Sequence, residues 1–387
     1  MAQPKDRFDD LCNLVARADP DRVRAELPGL FSADNYARDS IARRIGAFLE
    51  WRRKGGFEMV RVLAESKTQI DVELRFPVTQ DHWRLRLVLE DRPAGLIDEM
   101  LMGRAPLPPV AAAISDKERA QRFLDYVTHL GAHDLFSGAV LIARNGTVLG
   151  QRAVGMASHE HDVPNTPETR FNVASLTKSW TATAVVRLIE RGRLGFDTAL
   201  DDLVTRAEGG FDRRIEIRHL LSHTSGLGDY FGPAFDGTPK DRIRSIDDFL
   251  ALARSFEPSF DPGSRWSYSN IGIMLLGKVI ERLMGQGYHE ALRDLVLDPA
   301  GMTGAGFPHL DEINPGCASG YGFRWTDEGP VRINALHSWA VRGAPDGCAF
   351  ATVRDIWAFA EAFRSGRLVS PEHVRLMTSA KPELGRS

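Results

Sequence analysis

Cysteine is scarce in this chain, and long apolar runs are missing. Cys12, Cys317 and Cys348 are the three cysteines among 387 residues. Three cysteines do not make a disulfide framework. No stretch approaches the roughly 20 apolar residues of a membrane-spanning helix. The first ten residues alternate acidic and basic side chains, where a secretion signal would have an apolar run. We therefore expect a cytoplasmic protein without a membrane segment.

An excess of one charge is also lacking. The formal net charge is −3 at pH 7, so nothing indicates a nucleic acid or an anionic membrane as partner. Hydrophobic residues make up 43% and charged residues 26% of the sequence, which is typical of a globular protein with a sizeable core. Because domains usually have about 100–200 residues, the length predicts one large domain and one small one.

The first part of the chain predicts a small α+β module over residues 1–104. Apolar residues recur there first at helical spacing and then in strand-like alternation. A proline- and alanine-rich stretch over 105–115 predicts a linker, and 116–387 is then the main domain. The residues that carry the helical and the alternating patterns are Phe8, Leu11, Leu14, Val15, Ile70, Val72, Leu74, Phe76, Trp83, Leu85, Leu87 and Leu89.

Two short sequence patterns predict secondary structure near the start of the main domain. Ser115 and Glu118 form a Ser-x-x-Glu pattern typical of a helix N-terminus. Further on, Asn145 and Gly146 separate two apolar runs, and Asn-Gly between such runs predicts a β-hairpin.

A serine and a lysine stand three residues apart, just ahead of an apolar segment. Ser175 and Lys178 precede the run 181–189, which predicts a buried helix that ends at Gly192. A serine in the first turn of a helix lies near free N–H groups and the positive end of the helix dipole. Residues three apart share a helix face, and a desolvated lysine can accept the serine proton. The alternative is a helix-capping serine beside a solvated lysine.

A second polar pair precedes another apolar segment. Tyr268 and Asn270 are two residues apart, so in extended backbone both side chains lie on one side. A tyrosine near a lysine cation can have its pKa lowered and act as a base, and the amide of Asn270 can hold Lys178 and a substrate carbonyl. The alternative is a buried aromatic residue followed by Asn270 as a helix cap.

Together these motifs resemble those of the class C β-lactamases, the DD-carboxypeptidases of the penicillin-binding proteins and related esterases. The resemblance extends from about Phe136 to the C-terminus. It implies an α+β, β-lactamase/transpeptidase-like fold, with an antiparallel sheet flanked by helices and an all-helical lobe, preceded by the small module. The stretches that carry it are 165–169, 171–178, 219–227, 262–270 and 298–302.

The resemblance implies a serine hydrolase that forms an acyl-enzyme on an ester, amide or peptide. Ser175 is the expected nucleophile, Lys178 and Tyr268 are the expected acid/base residues, and Asn270 is the expected substrate-binding residue. No metal or organic cofactor is expected. A β-lactamase or a DD-carboxypeptidase is an alternative, and the oligomeric state is left open.

One family motif is not found. The family has Lys-Thr-Gly or His-x-Gly on a strand that faces the serine, whereas here 342–352 resembles the loop before a late helix and no such motif follows. We therefore expect the C-terminal strands of the domain to be missing. This absence favours a second alternative, a binding protein without catalysis.

Two segments that contain histidine are not expected to bind a metal or to take part in catalysis. The run 159–162 is His-Glu-His-Asp, but neighbouring residues in a strand point to opposite sides, and zinc usually takes three or four well-spaced ligands. We expect no metal there. His223 is expected to form structural hydrogen bonds rather than to act as a catalytic base.

Overall fold

The computed structural model describes residues 3–105, 114–204, 211–253, 255–326 and 328–381. Most of the predicted linker, 106–113, lies outside these residues.

Helices and strands follow one another in groups along the chain. The helices are α1 (Pro4–Ala16), α2 (Pro20–Leu30), α3 (Ala33–Ala37), α4 (Ile41–Arg53), α5 (Asp116–Ala132), α6 (Thr177–Glu190), α7 (Ile217–Leu221), α8 (Pro233–Gly237), α9 (Ile246–Leu250), α10 (Asn270–Met284), α11 (Tyr288–Leu292), α12 (Asp298–Ala300), α13 (Val353–Arg364) and α14 (Pro371–Thr378). The strands are β1 (Glu58–Glu65), β2 (Gln69–Arg75), β3 (His82–Leu89), β4 (Ile97–Arg104), β5 (Gly138–Arg144), β6 (Thr147–Val154), β7 (Met156–Ser158), β8 (Val163–Pro164), β9 (Phe171–Asn172), β10 (Tyr321–Thr326), β11 (Gly329–Asn334) and β12 (Phe350–Ala351). Within the described ranges, every helix is too short or too polar to cross a bilayer.

The chain divides into two compact units. The first joins Met1–Ser137 with Tyr321–Asn334, and the second joins Gly138–Gly320 with Ala335–Ser387. Helix α5 belongs to the first unit, where the Tyr126 hydroxyl donates to the Thr79 carbonyl at 2.6 Å. The sequence analysis assigned α5 to the main domain. The domain boundaries predicted at 104 and 116 stay predictions.

The first unit is built on an antiparallel sheet in the order β1-β2-β3-β4. The predicted alternation in β2 and β3 puts apolar side chains on one face, where they form a core with α1, α2 and α4. On the opposite face Asp71 is buried and bridges to Arg84 at 2.5 Å and Arg86 at 2.7 Å. The edge strand β1 is exposed along its whole length, and its pairing with β2 contains two bulge-like register shifts.

The second unit has a helical core around α6 and α10. Helix α10 is mostly apolar and contacts α6, α7, α9 and α11. The predicted hairpin is present as β5 and β6, and both Asn145 and Gly146 have positive φ, as a type I′ turn requires. Among the described residues of this unit the strands form two-stranded antiparallel pairs, including β9 with β12.

Gly277 allows α10 to approach the loop that precedes β12. A Cβ atom at residue 277 would overlap the ring of Pro345 and lie 2.9 Å from Ile246 Cδ1. Both neighbours are buried, so they have little room to move. The absence of a side chain at Gly277 therefore sets the position of this loop.

We expect Gly277→Ala to lower the free energy of unfolding by about 1–3 kcal/mol, because overpacking forces neighbours to shift. Gly237→Ala is the matched control, since a Cβ atom there meets nothing within 4 Å; it should change the stability by less than about 1 kcal/mol. Urea denaturation of both variants measures the difference. Equal stability of the two variants would contradict the close approach.

Candidate active site

Ser175 lies in a tight turn that leads into α6. Residues Ala174–Leu176 form a 3-10 turn, and the α-helix itself begins at Thr177. The sequence placed Ser175 in the first turn of the helix, and the structure places it just before. Ala174 has φ +45°, a left-handed conformation that is unfavourable for a residue with a Cβ atom. The side chain of Ser175 is exposed.

Hydrogen bonds on both sides of Ala174 hold this strained turn. The N–H of Ala174 donates to Asn172 Oδ1 at 2.8 Å. The carbonyl of Ala174 accepts from Thr177 Oγ1 at 2.8 Å and from the N–H of Cys348 at 3.2 Å. Thr177 Oγ1 also accepts from the N–H of Ala349 at 3.2 Å. The turn at Ser175 is thus fixed to the loop that precedes β12.

Lys178 is buried beneath the serine. Its Nζ donates to Ser175 Oγ at 3.1 Å, and it also donates to the backbone carbonyl of Asp346. The side chain of Lys178 therefore connects Ser175 to the same loop. The structure brings the predicted pair together at the expected one-turn spacing.

Tyr268 approaches the serine from the other side. Its hydroxyl donates to Ser175 Oγ at 3.0 Å, and Lys178 Nζ lies 5.0 Å from the centre of its ring. His223 stacks on this ring, with the centroids 4.7 Å apart and an interplanar angle of 26°. His223 Nδ1 also accepts from the N–H of Ser269 at 3.2 Å. In the structure His223 supports the segment that carries Tyr268.

Asn270 is the first residue of α10 and is buried. The helix cap is Ser269, whose hydroxyl accepts from the N–H of Gly272 at 2.9 Å, so the alternative that Asn270 caps the helix is wrong. The amide nitrogen of Asn270 donates to Asp229 Oδ2 at 2.7 Å. The sequence anticipated a hydrogen bond to Lys178 and did not identify Asp229.

The sequence analysis missed a buried carboxyl group in the residue whose backbone carbonyl accepts from Lys178 Nζ. Asp346 is 5% exposed and accepts a hydrogen bond from Tyr230 Oη at 2.8 Å. Burial raises the pKa of Asp346 to about 6, although Lys178 and the hydrogen bond from Tyr230 act in the opposite direction. Burial, followed by the Asp346 charge, also raises the pKa of Tyr230. The signal in the sequence was an acidic residue inside the otherwise apolar run 344–351.

A cavity of about 250 Å³ opens over Ser175. Its polar lining residues include Ser175, Tyr268, Asn270, Arg342 and Asp346. Five further lining residues are aromatic: Tyr230, Phe231, Phe235, Phe249 and Trp339. The nucleophile candidate thus faces a pocket that is mostly apolar.

No group of three or more His, Cys, Asp or Glu side chains is arranged to hold a metal ion in the part of the chain that the structure describes.

Comparison with known proteins identifies the family to which these motifs belong. Residues 123–386 match the profile of the Beta-lactamase family. The chain belongs to the Beta-lactamase family. The resemblance predicted from the motifs is therefore confirmed.

Members of the Beta-lactamase family that resemble this chain have different names. Esterase EstB of Burkholderia gladioli is 36% identical over 222 residues, which are 53% of this chain and 56% of the esterase. Penicillin-binding protein 4* of Bacillus subtilis is 35% identical over 177 residues, which are 45% of this chain and 38% of that protein. The matched stretches thus span about half or less of each relative.

Solved structures confirm the predicted β-lactamase/transpeptidase-like fold. The penicillin-binding protein from Bacillus halodurans is 31% identical, with a TM-score of 0.58 and coverage of 64% of this chain and 76% of that chain. The D-stereospecific amidohydrolase from Streptomyces sp. is 25% identical, with a TM-score of 0.54 and coverage of 69% and 78%.

We expect Thr177→Val to destabilise the turn at Ser175, because the fully buried hydroxyl of Thr177 both donates and accepts a hydrogen bond. The loss should be about 1–3 kcal/mol, with slower reaction of Ser175 with a fluorophosphonate. Thr177→Ser keeps the hydroxyl and should lose only about 1 kcal/mol for the missing methyl group. Urea denaturation and labelling rates measure both effects. A valine variant as stable and as reactive as the serine variant would show that these hydrogen bonds do not hold the turn.

Proposed function

We propose that this member of the Beta-lactamase family is a serine hydrolase that acts on an ester or an amide through an acyl-enzyme. The double hydrogen bond at Ser175 Oγ carries this proposal, because Lys178 and Tyr268 reach one hydroxyl at 3.1 and 3.0 Å. Both are groups that can hold or release a proton within hydrogen-bond distance of a nucleophile.

The reaction has two halves. Ser175 Oγ attacks the substrate carbonyl while its proton passes to the Lys178–Tyr268 pair, and the N–H of Ser175 stabilises the developing oxyanion. The same pair returns the proton to the leaving group, and the acyl group remains on Ser175. Water then attacks the acyl-enzyme by the reverse proton path and releases the acid. Asn270, which lines the cavity, contacts the bound substrate.

The shape of the cavity supports a substrate with an apolar group next to its carbonyl. Five aromatic side chains line the same cavity as Ser175, and apolar surface removed from water contributes roughly 25 cal/mol per Å² to binding. The esterase and amidohydrolase names among the relatives support an ester or an amide. Penicillin-binding relatives make β-lactams the second class of acylating compound to test.

Incubation with a fluorophosphonate should attach the label to Ser175, since this is the hydroxyl flanked by two proton-transfer groups. Mass spectrometry of the digested protein identifies the labelled residue, and a fluorescent penicillin provides a parallel test for β-lactams. Ser175→Ala should abolish labelling, whereas Ser222→Ala, which removes another hydroxyl of the second unit, should not. A label on another serine, or none, would refute the proposal.

Lys178→Ala and Tyr268→Phe should each lower kcat/KM for a p-nitrophenyl ester by about 10²-fold or more, because one proton path needs both groups. Lys278→Ala and Tyr126→Phe are matched controls that remove a lysine and a tyrosine hydroxyl with other partners. Circular dichroism checks that all four variants are folded. Near wild-type turnover in either site variant would contradict the shared role.

A further inference from the structure

A larger cavity in the second unit has no role in the reaction described above. Its volume is about 560 Å³, compared with about 250 Å³ for the cavity over Ser175. Small-molecule sites usually have about 300–1,000 Å³, so the cavity over Ser175 holds only a small group. The larger one, here called the distal cavity, is lined by residues 236–241 and 310–311 together with Leu336, His337, Trp339 and Val341.

The two cavities adjoin at Trp339, which lines both of them. Val341, two residues further on, lines the distal cavity. Helix α8 also borders both, because Phe235 lines the cavity over Ser175 and Gly237 lines the distal cavity. A group bound at Ser175 therefore has a neighbouring space into which it can extend past Trp339.

Backbone hydrogen bonds hold the lining of the distal cavity together. The N–H of Val341 donates to the carbonyl of Lys240 at 3.3 Å, and the N–H of Leu310 donates to the carbonyl of Val341 at 2.8 Å. Three separate segments of the lining are thus joined before any ligand binds. A preformed site of this kind loses little conformational freedom on binding.

The charged residues of the distal cavity are mainly acidic. Asp236, Asp241 and Asp311 line it, together with Lys240. Lys240 Nζ donates to three backbone carbonyls within and just after α8, and an ammonium group has three donors. Asp311 bonds to Arg244, whereas Asp236 and Asp241 are exposed. Because like charges repel, a ligand with a negative charge is disfavoured in this cavity.

The apolar residues of the distal cavity favour an apolar ligand. They are Pro239, Leu310, Leu336, Trp339 and Val341. Leu336 is 45% exposed and Trp339 is 41% exposed. Covering such surface with an apolar chain removes it from water, which favours binding.

We propose that the distal cavity is a subsite for the far end of the acyl group of the substrate. The substrate is then an ester or amide of a long apolar acid that carries no negative charge at its far end. The inference rests on the proposed function. The carbonyl carbon bonds to Ser175, the first part of the chain lies among the aromatic residues of the cavity over Ser175, and the chain passes Trp339 into the distal cavity. The acyl-enzyme keeps the chain there until water releases the acid.

The length of the acyl chain provides the first test on the wild-type protein. For p-nitrophenyl esters below their critical micelle concentrations, kcat/KM should rise from butanoate to octanoate, by up to about fourfold for each methylene removed from water. Acetate esters of longer alcohols lengthen the leaving group instead and should show a smaller rise. The absence of a rise in the acyl series, or an equal rise in the alcohol series, would overturn the proposal.

Gly237→Phe should fill the distal cavity. A Cβ atom at residue 237 meets nothing within 4 Å, so the added ring enters open space. The ratio of kcat/KM for octanoate to that for butanoate should fall about tenfold or more, since about two methylenes lose their burial, while butanoate turnover is retained. Gly29→Phe in α2 is the matched control, because a Cβ atom there also meets nothing within 4 Å. A wild-type ratio in folded Gly237→Phe would overturn the proposal.

The charge of the chain end provides a test that does not depend on packing. The mono-p-nitrophenyl ester of octanedioic acid has the chain of the octanoate with a carboxylate at its end, and it should react more slowly. Asp241→Lys, at an exposed position, should narrow this difference by about two- to fivefold at low ionic strength. Glu372→Lys, at an exposed position in α14, is the matched control and should leave it unchanged. The same difference in Asp241→Lys as in the wild-type protein would contradict the location of the chain end.

Labelling of Ser175 separates the subsite from the proposed function. Fluorophosphonates with an ethyl or an octyl group on phosphorus should both label Ser175, the octyl compound faster. Equal rates would overturn the subsite and leave the proposed function intact. No label on Ser175 with either compound would refute the proposed function and the subsite with it.

Discussion

The packing of the loop 343–349 against the turn at Ser175 is the constraint on which the site depends. Lys178 donates to the carbonyl of Asp346, and Cys348 donates to the carbonyl of Ala174. Thr181 donates to the carbonyl of Pro345 at 2.6 Å. Without this loop, the left-handed Ala174 would lose one of the hydrogen bonds to its carbonyl, and Lys178 would lose its backbone acceptor. The same loop carries the buried carboxyl group of Asp346, which accepts from Tyr230 Oη at 2.8 Å.

The parts of the site that the sequence predicted are local. Ser175 and Lys178 are one turn apart, and Tyr268 and Asn270 are two residues apart, so backbone geometry alone places each pair on one side. The Asn145-Gly146 hairpin and the alternating strands of the first unit were predictable for the same reason. Bringing Tyr268 to Ser175, 93 residues away, needed the resemblance to a family.

The features that the sequence analysis did not predict depend on contacts between distant segments. Tyr230 and Asp346 are 116 residues apart, and neither lies in a motif, so no periodicity connects them. The hydrogen bond from Asn270 to Asp229 spans 41 residues and was missed likewise. Helix α5 has an ordinary amphipathic pattern, which shows that one face is buried but does not show in which unit.

The edge strand β1 has a consequence for the behaviour of the first unit in solution. An open strand with exposed apolar residues such as Val60 and Val62 is a template for pairing with another chain. Here its two register shifts lie between Met59 and Arg61 and between Val62 and Ala64. Such irregularities twist an edge away from a flat partner, and Arg61 adds a charge at the middle of the strand. The edge is thus shaped to resist aggregation although it is apolar.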